Sequence, residues 1–396
     1  MNHSISIWSR WQAPILIAII AFALSIAACA SGGSVTPRPL ASGSASPSPS
    51  PSPTPVNLRE FVVNPAASAQ PIALAAGSDH NIWFTVCQVI LSNQHVLNGW
   101  IGRLTLPADT VTLYALQQTS TQRCPAEIAA GPDGNLWFNE FTFAGLGFIG
   151  RVTTSGVITE FALPTMQRLN GIAAGVDGNV WISGTPVAGN FTIAAVSPST
   201  GMIIKSAFIP TAQGNPEDLI SNPIDNSIVA AGYNEAGASD MYSVKTNTVS
   251  PTATIVATQG SDKAAFWLML AYGNSTIFVP NTIAPSGGSW STLTLSASTY
   301  AQNIVSAIPG NDMAQGIAFG SDGNLYLADD GQTPNSGGVY VVSVGGNVIR
   351  HIPISSPGTY PFQSVVGNGN PMVAGPDGNV YFAESNNQKI GEIVLH

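Results

Sequence analysis

The chain has 396 residues, of which 44% are hydrophobic and 8% are charged, and it contains 40 glycines and 29 prolines. The apolar content excludes an intrinsically disordered protein, because such chains bury too little apolar surface to fold. Glycine and proline among β-branched and aromatic residues indicate an all-β protein of many short strands. The formal net charge of −9 argues against a nucleic-acid partner, since phosphates repel an acidic protein.

The N-terminus has the layout of a secretory signal peptide. One basic residue, Arg10, precedes the apolar run Ala13–Ala28, which ends in small residues at a cysteine. The run Leu24–Cys29 (LSIAAC) resembles a bacterial lipobox, which predicts a signal peptide at residues 1–28 and lipidation of Cys29. A retained signal anchor is the alternative, because the apolar run is about long enough to span a bilayer.

Residues 29–56 are rich in serine and proline and include Ser46–Pro55 (SPSPSPSPTP). Such a segment has too few large apolar residues to form a core, so we expect a disordered, extended linker. The prediction is a folded domain at residues 57–396 that lies outside the cytoplasm and is attached to a membrane of the cell envelope through a lipid.

A segment of about a dozen residues recurs through the remaining chain at intervals of about 44 to 55 residues, the size of a four-stranded propeller blade. The five clear copies are Ile72–Thr85, Ile128–Glu140, Ile172–Ser183, Ile317–Asp329 and Val373–Glu384, and the two degenerate copies are Leu219–Ala230 and Leu268–Pro280. This repeat predicts an all-β fold, a seven-bladed β-propeller.

Each repeat predicts four strands. An apolar inner strand such as Gly171–Ala174 leads through an Asp-Gly-Asn turn to a buried second strand such as Leu136–Phe138, and two further strands follow. The last repeat ends at His396 without a fourth strand. Leu58–Val63 (LREFVV) copies that strand, so we expect the N-terminal strand to complete the last blade and close the ring.

Polar residues occur where inner strands start and second strands end, which should bring them together around one mouth of the central channel. They are Glu127, Glu140, Asn170, Asp218, Gln315, Asp329, Asp330, Asn370 and Glu384. One interpretation is a funnel that binds a cation or a polar ligand, with Glu384 and Asp329 as oxygen ligands of Mg²⁺ or Ca²⁺. The alternative is that these residues bond exposed backbone groups at strand ends.

The turn aspartates Asp133, Asp177, Asp322 and Asp377 should lie on the opposite face and serve the turns. Cys87 and Cys124 fall near one face on neighbouring blades, which predicts a disulfide in an oxidising compartment. Two separate buried thiols are the alternative.

Ile128–Pro164, with the pattern GPDGNLWF(x)E, IGRVT and G(x)ITEF(x)LP, resembles the virginiamycin B lyase family of NHL-like propellers. The resemblance implies an elimination that opens a cyclic depsipeptide, with a bound magnesium ion and a histidine as general acid or base. It places the catalytic histidines at the positions of Asn370 and Gln315. An amide cannot exchange a proton near neutral pH as imidazole does, so the lyase chemistry is not expected to persist.

The sequence therefore favours an envelope-attached, monomeric binding module for an unidentified small molecule, glycan or protein. The alternative is a metal-assisted lyase or a lactonase-like hydrolase centred on Glu384, Asp329 and Asn370. A purely structural spacer at the cell surface is the third possibility.

Overall fold

Short apolar segments separated by glycine-containing turns form antiparallel strands throughout the domain. The structure is a computed structural model. It describes residues 57–63, 66, 68–90, 96–117, 122–143, 145–209, 215–233, 239–259, 271–273, 276–281, 289–296, 299–305, 314–330, 337–355, 362 and 370–395. All of these residues fall in one unit, Pro55–His396. The predicted signal peptide, linker and lipidation site Cys29 lie outside the described residues.

Within these ranges, 28 strands pair into seven four-stranded antiparallel sheets. Sheet 1 contains β2 (Ala69–Ala76), β3 (Ile82–Ile90), β4 (Val96–Thr105) and β5 (Thr110–Ala115), and sheet 2 contains β6 (Arg123–Ala130), β7 (Leu136–Thr142), β8 (Gly147–Val152) and β9 (Ile158–Leu163). Sheet 3 contains β10 (Met166–Ala174), β11 (Val180–Pro186), β12 (Thr192–Val196) and β13 (Ile203–Phe208), and sheet 4 contains β14 (Asn215–Asn222), β15 (Ser227–Tyr233), β16 (Ser239–Lys245) and β17 (Ala253–Gln259).

Sheet 5 contains β18 (Ala271–Gly273), β19 (Thr276–Asn281), β20 (Ser289–Ser296) and β21 (Thr299–Val305), and sheet 6 contains β22 (Ala314–Phe319), β23 (Asn324–Asp329), β24 (Gly338–Ser343) and β25 (Val348–Pro353). Sheet 7 contains β26 (Met372–Ala374), β27 (Val380–Glu384), β28 (Lys389–Val394) and β1 (Asn57–Val62), with a 3-10 turn at Ser385–Asn387.

The N-terminal strand completes the last sheet, as predicted. β1 pairs antiparallel with β28, with Leu58 opposite Ile393 and Phe61 opposite Ile390. Chain ends that are far apart in sequence therefore share one sheet.

The all-β propeller class is confirmed, but the prediction of seven equivalent blades requires correction. Six sheets are blades in which the packed side chains are described, namely sheets 1–4, 6 and 7. Sheet 5 is known by its strand pairing, and Ile277 is its one side chain with a described environment. Its repeat copy, Leu268–Pro280, is one of the two degenerate copies and lacks the Asp-Gly-Asn turn.

The core repeats the same contacts from blade to blade. The second strands bury Trp83, Trp137 and Trp181 together with the phenylalanines Phe84, Phe138 and Phe382. In sheet 2, the Phe138 ring lies where a Cβ atom on Gly150 would be. The glycine of the Ile-Gly-Arg motif is therefore required by close packing.

The turn aspartates hold the aromatic residue that opens the second strand. The Asp133 carboxylate accepts the Trp137 indole N–H at 3.0 Å, and Asp377 accepts the Tyr381 hydroxyl at 2.8 Å. The same contact recurs at Asp79, Asp177 and Asp322. Burial raises the pKa of Asp133, but hydrogen bonds from Asn135 and Trp137 outweigh it and lower the pKa overall. The structural role predicted for these residues is confirmed.

No helix in the described part of the chain is long and apolar enough to cross a membrane.

Candidate functional site

The inner strands of five sheets contain a register shift where they enter the central channel. In β6 the shift lies between Pro125 and Ile128, and in β10 between Leu169 and Ile172. Further shifts occur in β2, β14 and β22. A β-bulge redirects a side chain and frees backbone groups from the ladder. The side chains of Glu127 and Asn170 therefore do not follow the regular alternation of side chains between the two faces of β6 and β10.

Polar residues on the neighbouring second strands satisfy the freed N–H groups. The Asn139 side chain accepts the Glu127 N–H at 2.8 Å, and the Ser183 hydroxyl accepts the Gly171 N–H at 2.8 Å. Thr85 accepts the N–H of Ala73 and donates to the carbonyl of Ala126 in the next sheet. These residues were missed from the sequence. Their signal was a polar third residue in WFT, WFN and WIS, within otherwise apolar strands.

The inner strands enclose a central cavity of about 410 Å³. Its lining is mostly alanine, isoleucine, leucine and valine from β2, β6, β10, β14, β22 and β26, and its polar members are Glu127, Asp218, Ser221 and Asn370. The structure thus brings three of the predicted funnel residues together, namely Glu127, Asp218 and Asn370.

Glu127 is the most constrained acid of the cavity. The residue is 5% exposed, and its Oε2 accepts the Ile172 N–H at 3.1 Å. Its Oε1 is buried and has no hydrogen-bond partner in the described structure. Burial and the negative charges of Asp218 and Glu217 raise the pKa of Glu127 well above its ordinary value, against the lowering effect of the Ile172 N–H.

Asp218 lies at the start of the regular part of β14, directly after the shift, and is 6% exposed. One carboxylate oxygen accepts the Leu219 N–H at 2.7 Å. Asp218 also lines the cavity, and its negative charge contributes to the raised pKa of Glu127. Two acidic groups therefore share one apolar cavity.

Asn370 and Asn170 tie inner strands of adjacent sheets together. The Asn370 amide accepts the Ile317 N–H at 3.2 Å and donates to the Ile317 carbonyl at 2.9 Å. The Asn170 amide donates to the Pro216 carbonyl at 3.1 Å. These two residues therefore bond backbone groups of neighbouring strands, which is the alternative that we considered from the sequence. Asn370 also lines the cavity.

Glu140 does not line the cavity. It is 3% exposed and pairs with Arg123 at 3.1 Å, and the same guanidinium pairs with Glu160 at 3.1 Å. Burial and the Glu160 carboxylate raise the pKa of Glu140 to about 8, although Arg123 opposes the shift. Arg123 also lies over the Phe148 ring, 4.4 Å from its centre. Glu140 belongs to a buried charge network within sheet 2.

Glu384, Asp329 and Asp330 also do not line the cavity. Glu384 is fully buried, and its Oε2 accepts the Asn387 amide at 2.7 Å. Burial raises the pKa of Glu384 to about 7. Asp330 accepts the Phe362 N–H at 2.8 Å, whereas Gln315 occupies the register shift in β22. The predicted site residues thus fall into separate environments.

The residues implied by the family resemblance do not fit a magnesium or calcium ion. Both amide atoms of Asn370 bond the backbone of Ile317, and Glu384 lies off the cavity that Asn370 lines. Among the described residues, no group of three or more His, Cys, Asp and Glu side chains is arranged to hold a metal. Ca²⁺ takes six to eight oxygen ligands, and Mg²⁺ takes six, of which several are usually waters and one or two are carboxylates.

A second cavity, of about 650 Å³, lies beside the β1–β28 pair. Its charged lining is already paired, because Arg59 contacts both Glu392, at 2.9 Å, and Asp109. The Tyr381 hydroxyl donates to the same Glu392 at 3.0 Å. The charged groups Arg59 and Glu392 of the second cavity therefore have partners, whereas Oε1 of Glu127 in the central cavity has none in the described structure.

The predicted disulfide is confirmed. Cys87 and Cys124 are bonded, with Cα atoms 5.3 Å apart, and the bond joins sheets 1 and 2 across 37 positions of sequence.

A sequence model of the virginiamycin B lyase family matches residues 55–239. The matched segment runs from before β1 to the start of β16 and so includes Glu127 and Asp218 but not Asn370. No curated protein sequence matches the chain.

Solved structures share the propeller fold. A catalytically inactive histidine-to-alanine variant of virginiamycin B lyase from Staphylococcus aureus, with quinupristin, matches with a TM-score of 0.63 and 18% identity, over 86% of this chain and 100% of that chain. A fungal alcohol oxidase in complex with copper matches with a TM-score of 0.59 and 10% identity, over 85% of this chain and 75% of that chain.

The β-propeller domain of a trilobed protease from Pyrococcus furiosus matches with a TM-score of 0.51 and 9% identity, over 83% of this chain and 96% of that chain, and has an open velcro topology. At these identities the likeness shows the fold alone.

Proposed function

We propose that this protein is a ligand-binding propeller that takes a small molecule into the cavity lined by Glu127, Asp218 and Asn370. The observation that carries the proposal is the cavity of about 410 Å³ with apolar walls and a few convergent polar groups. Small-molecule sites have this composition and volumes of about 300 to 1,000 Å³. The rigid ring of paired sheets supports it, because binding then costs little conformational entropy.

The test is a ligand-observed NMR screen of small neutral and charged fragments against the domain and two variants. Ala174→Leu places a larger side chain at a residue that lines the cavity. Ala162→Leu makes the same change at an exposed position of β9. We expect fragments that bind wild type and Ala162→Leu but not Ala174→Leu. Fragments that bind all three proteins equally, or no bound fragments, would reject the cavity as the site.

We also propose that the chain is an envelope lipoprotein attached through Cys29. The support is the N-terminal pattern of Arg10, the apolar run and the LSIAAC segment. Incorporation of a labelled fatty acid, lost in Cys29→Ala, is the expected result. Equal labelling of both proteins would contradict it.

A lyase is the second candidate, favoured by the match of the virginiamycin B lyase family model to residues 55–239. Incubation with quinupristin and Mg²⁺, followed by chromatography, tests it. We expect the quinupristin ring to stay closed, because Asn370 and Gln315 occupy the positions of the histidines that the family resemblance implies. Ring opening would establish the lyase candidate.

A further inference from the structure

We propose that the cavity of the binding function above binds a primary ammonium ligand with an apolar body, and that its nitrogen is held between Glu127 and Asp218. The inference rests on the proposed function and adds the class of ligand to it. Both acids line the cavity, from β6 and β14. The strand between them, β10, contributes only the apolar residues Ile172, Ala173 and Ala174 to the lining.

The unpartnered oxygen of Glu127 indicates the chemistry of the ligand. Buried polar atoms in folded proteins almost always have a hydrogen-bond partner, yet Oε1 of this buried side chain has none in the described structure. Its other oxygen is already bonded to the Ile172 N–H. A ligand N–H directed at Oε1 would complete the set of hydrogen bonds.

A second carboxylate nearby favours a cationic ligand over a neutral one. Glu127 and Asp218 repel each other, and Glu217 adds a third negative charge. A single positive charge between them relieves this repulsion, and a desolvated cavity strengthens the attraction.

An ammonium fits this geometry better than a metal ion. A primary ammonium has three donors and is satisfied by about three acceptors, whereas Ca²⁺ takes six to eight oxygen ligands. The described residues contain no cluster of three acidic, histidine or cysteine side chains that could hold a metal. Apart from Ser221 and Asn370, the remaining lining, including Ile128, Leu219 and Ile317, is apolar, so the body of the ligand should be mostly hydrocarbon.

Binding should release a proton. Because the pKa of Glu127 is raised, its carboxyl in the free protein stays protonated to a higher pH than that of an ordinary glutamate. A bound cation favours the ionised form. The affinity should therefore increase as pH rises. The charged groups that act on Glu127, as far as the chain is described, are Asp218 and Glu217, both from β14.

The experiment is calorimetric titration of the domain with cyclohexylmethylammonium chloride and with its neutral analogue cyclohexylmethanol. We expect the ammonium to bind more tightly, with proton release seen as a dependence of the measured heat on the buffer. Glu127→Gln and Asp218→Asn should each weaken ammonium binding about tenfold to a hundredfold, because each removes a charge-assisted hydrogen bond. Both changes are isosteric and retain hydrogen-bonding groups for the backbone.

Asp109→Asn is the matched control, because it removes an acid from the second cavity and leaves binding unchanged. Equal affinity for ammonium and alcohol, with both lost in Ala174→Leu, would overturn the inference and leave the proposed function standing. Binding of MgCl₂ or CaCl₂ that is lost in Glu127→Gln would overturn it in favour of a metal site. If neither probe binds, the inference fails, and the fragment screen decides separately whether the cavity binds anything.

Discussion

Five turns of the ring repeat one geometry, whereas the polar groups that line the cavity differ from sheet to sheet. At the turns, an aspartate accepts a hydrogen bond from the indole or hydroxyl four residues later. In the cavity, sheet 2 supplies Glu127, sheet 4 supplies Asp218 and sheet 7 supplies Asn370. Repeated contacts maintain the scaffold, while residues that depart from the repeat are those available to a ligand.

Among the repeated contacts, replacing Gly150, which packs against the Phe138 ring, should have the largest effect on stability. Gly150→Ala places a Cβ atom within the Phe138 ring, so the free energy of unfolding should fall by about 1–3 kcal/mol. Gly345→Ala is the control, because its Cβ meets only the Ser343 hydroxyl, at 3.9 Å. Urea denaturation measures both variants. Equal stability of Gly150→Ala and wild type would contradict the packing described for sheet 2.

Replacing a turn aspartate should cause a smaller loss of stability and should not affect the cavity. Asp133→Ala removes hydrogen bonds from Asn135 and Trp137, so we expect a loss of about 1–2 kcal/mol in stability with unchanged fragment binding. Asp133→Asn should retain part of the stability, since its amide oxygen can still accept the indole N–H. If Asp133→Ala abolished binding at full stability, the division between turn and cavity would be wrong.

A third expected effect concerns Glu384, which does not line the cavity. Its pKa is raised from 4.5 to about 7 in the folded protein, so the folded state keeps a proton that the unfolded chain loses. Stability from this group is therefore lost as pH rises from about 4.5 to about 7. Glu384→Gln should flatten that pH dependence and leave fragment binding unchanged.

Asn387→Ala is the control for Glu384, because the Asn387 amide lowers the pKa of Glu384. Its removal should raise the pKa of Glu384 further and extend the loss of stability to higher pH. A Glu384→Gln variant with the wild-type slope, measured by thermal unfolding from pH 4 to pH 8, would contradict the assignment of the raised pKa to burial.

The sequence predicts these features well, because the recurring segment fixes the position of each strand and turn along the chain. The Asp-Gly-Asn turns, the completion of sheet 7 by β1 and the Cys87–Cys124 bond all follow from short patterns. The equivalence of all seven repeats did not hold, because the copy at Leu268–Pro280 is degenerate.

The candidate site could be predicted only in part, because the register shifts are not visible in an apolar strand. A strict alternation would place Glu127, Glu140 and Glu384 around one mouth of the channel. The shift in β6 places Glu127 in the cavity, while Arg123 holds Glu140 within sheet 2. Tertiary partners such as Arg123 and Asn387, rather than strand position, therefore decide which acids can meet a ligand.

The most direct test of the central claim is methyl NMR of the domain during titration with a fragment that binds it. The methyl groups of Ile172, Leu219 and Ile317 line the cavity, whereas those of Ile193 and Ile228 are buried elsewhere in sheets 3 and 4. The account predicts shifts that saturate at the first three and are small at the other two. Shifts confined to residues outside the cavity lining would contradict a binding site at the centre of the ring.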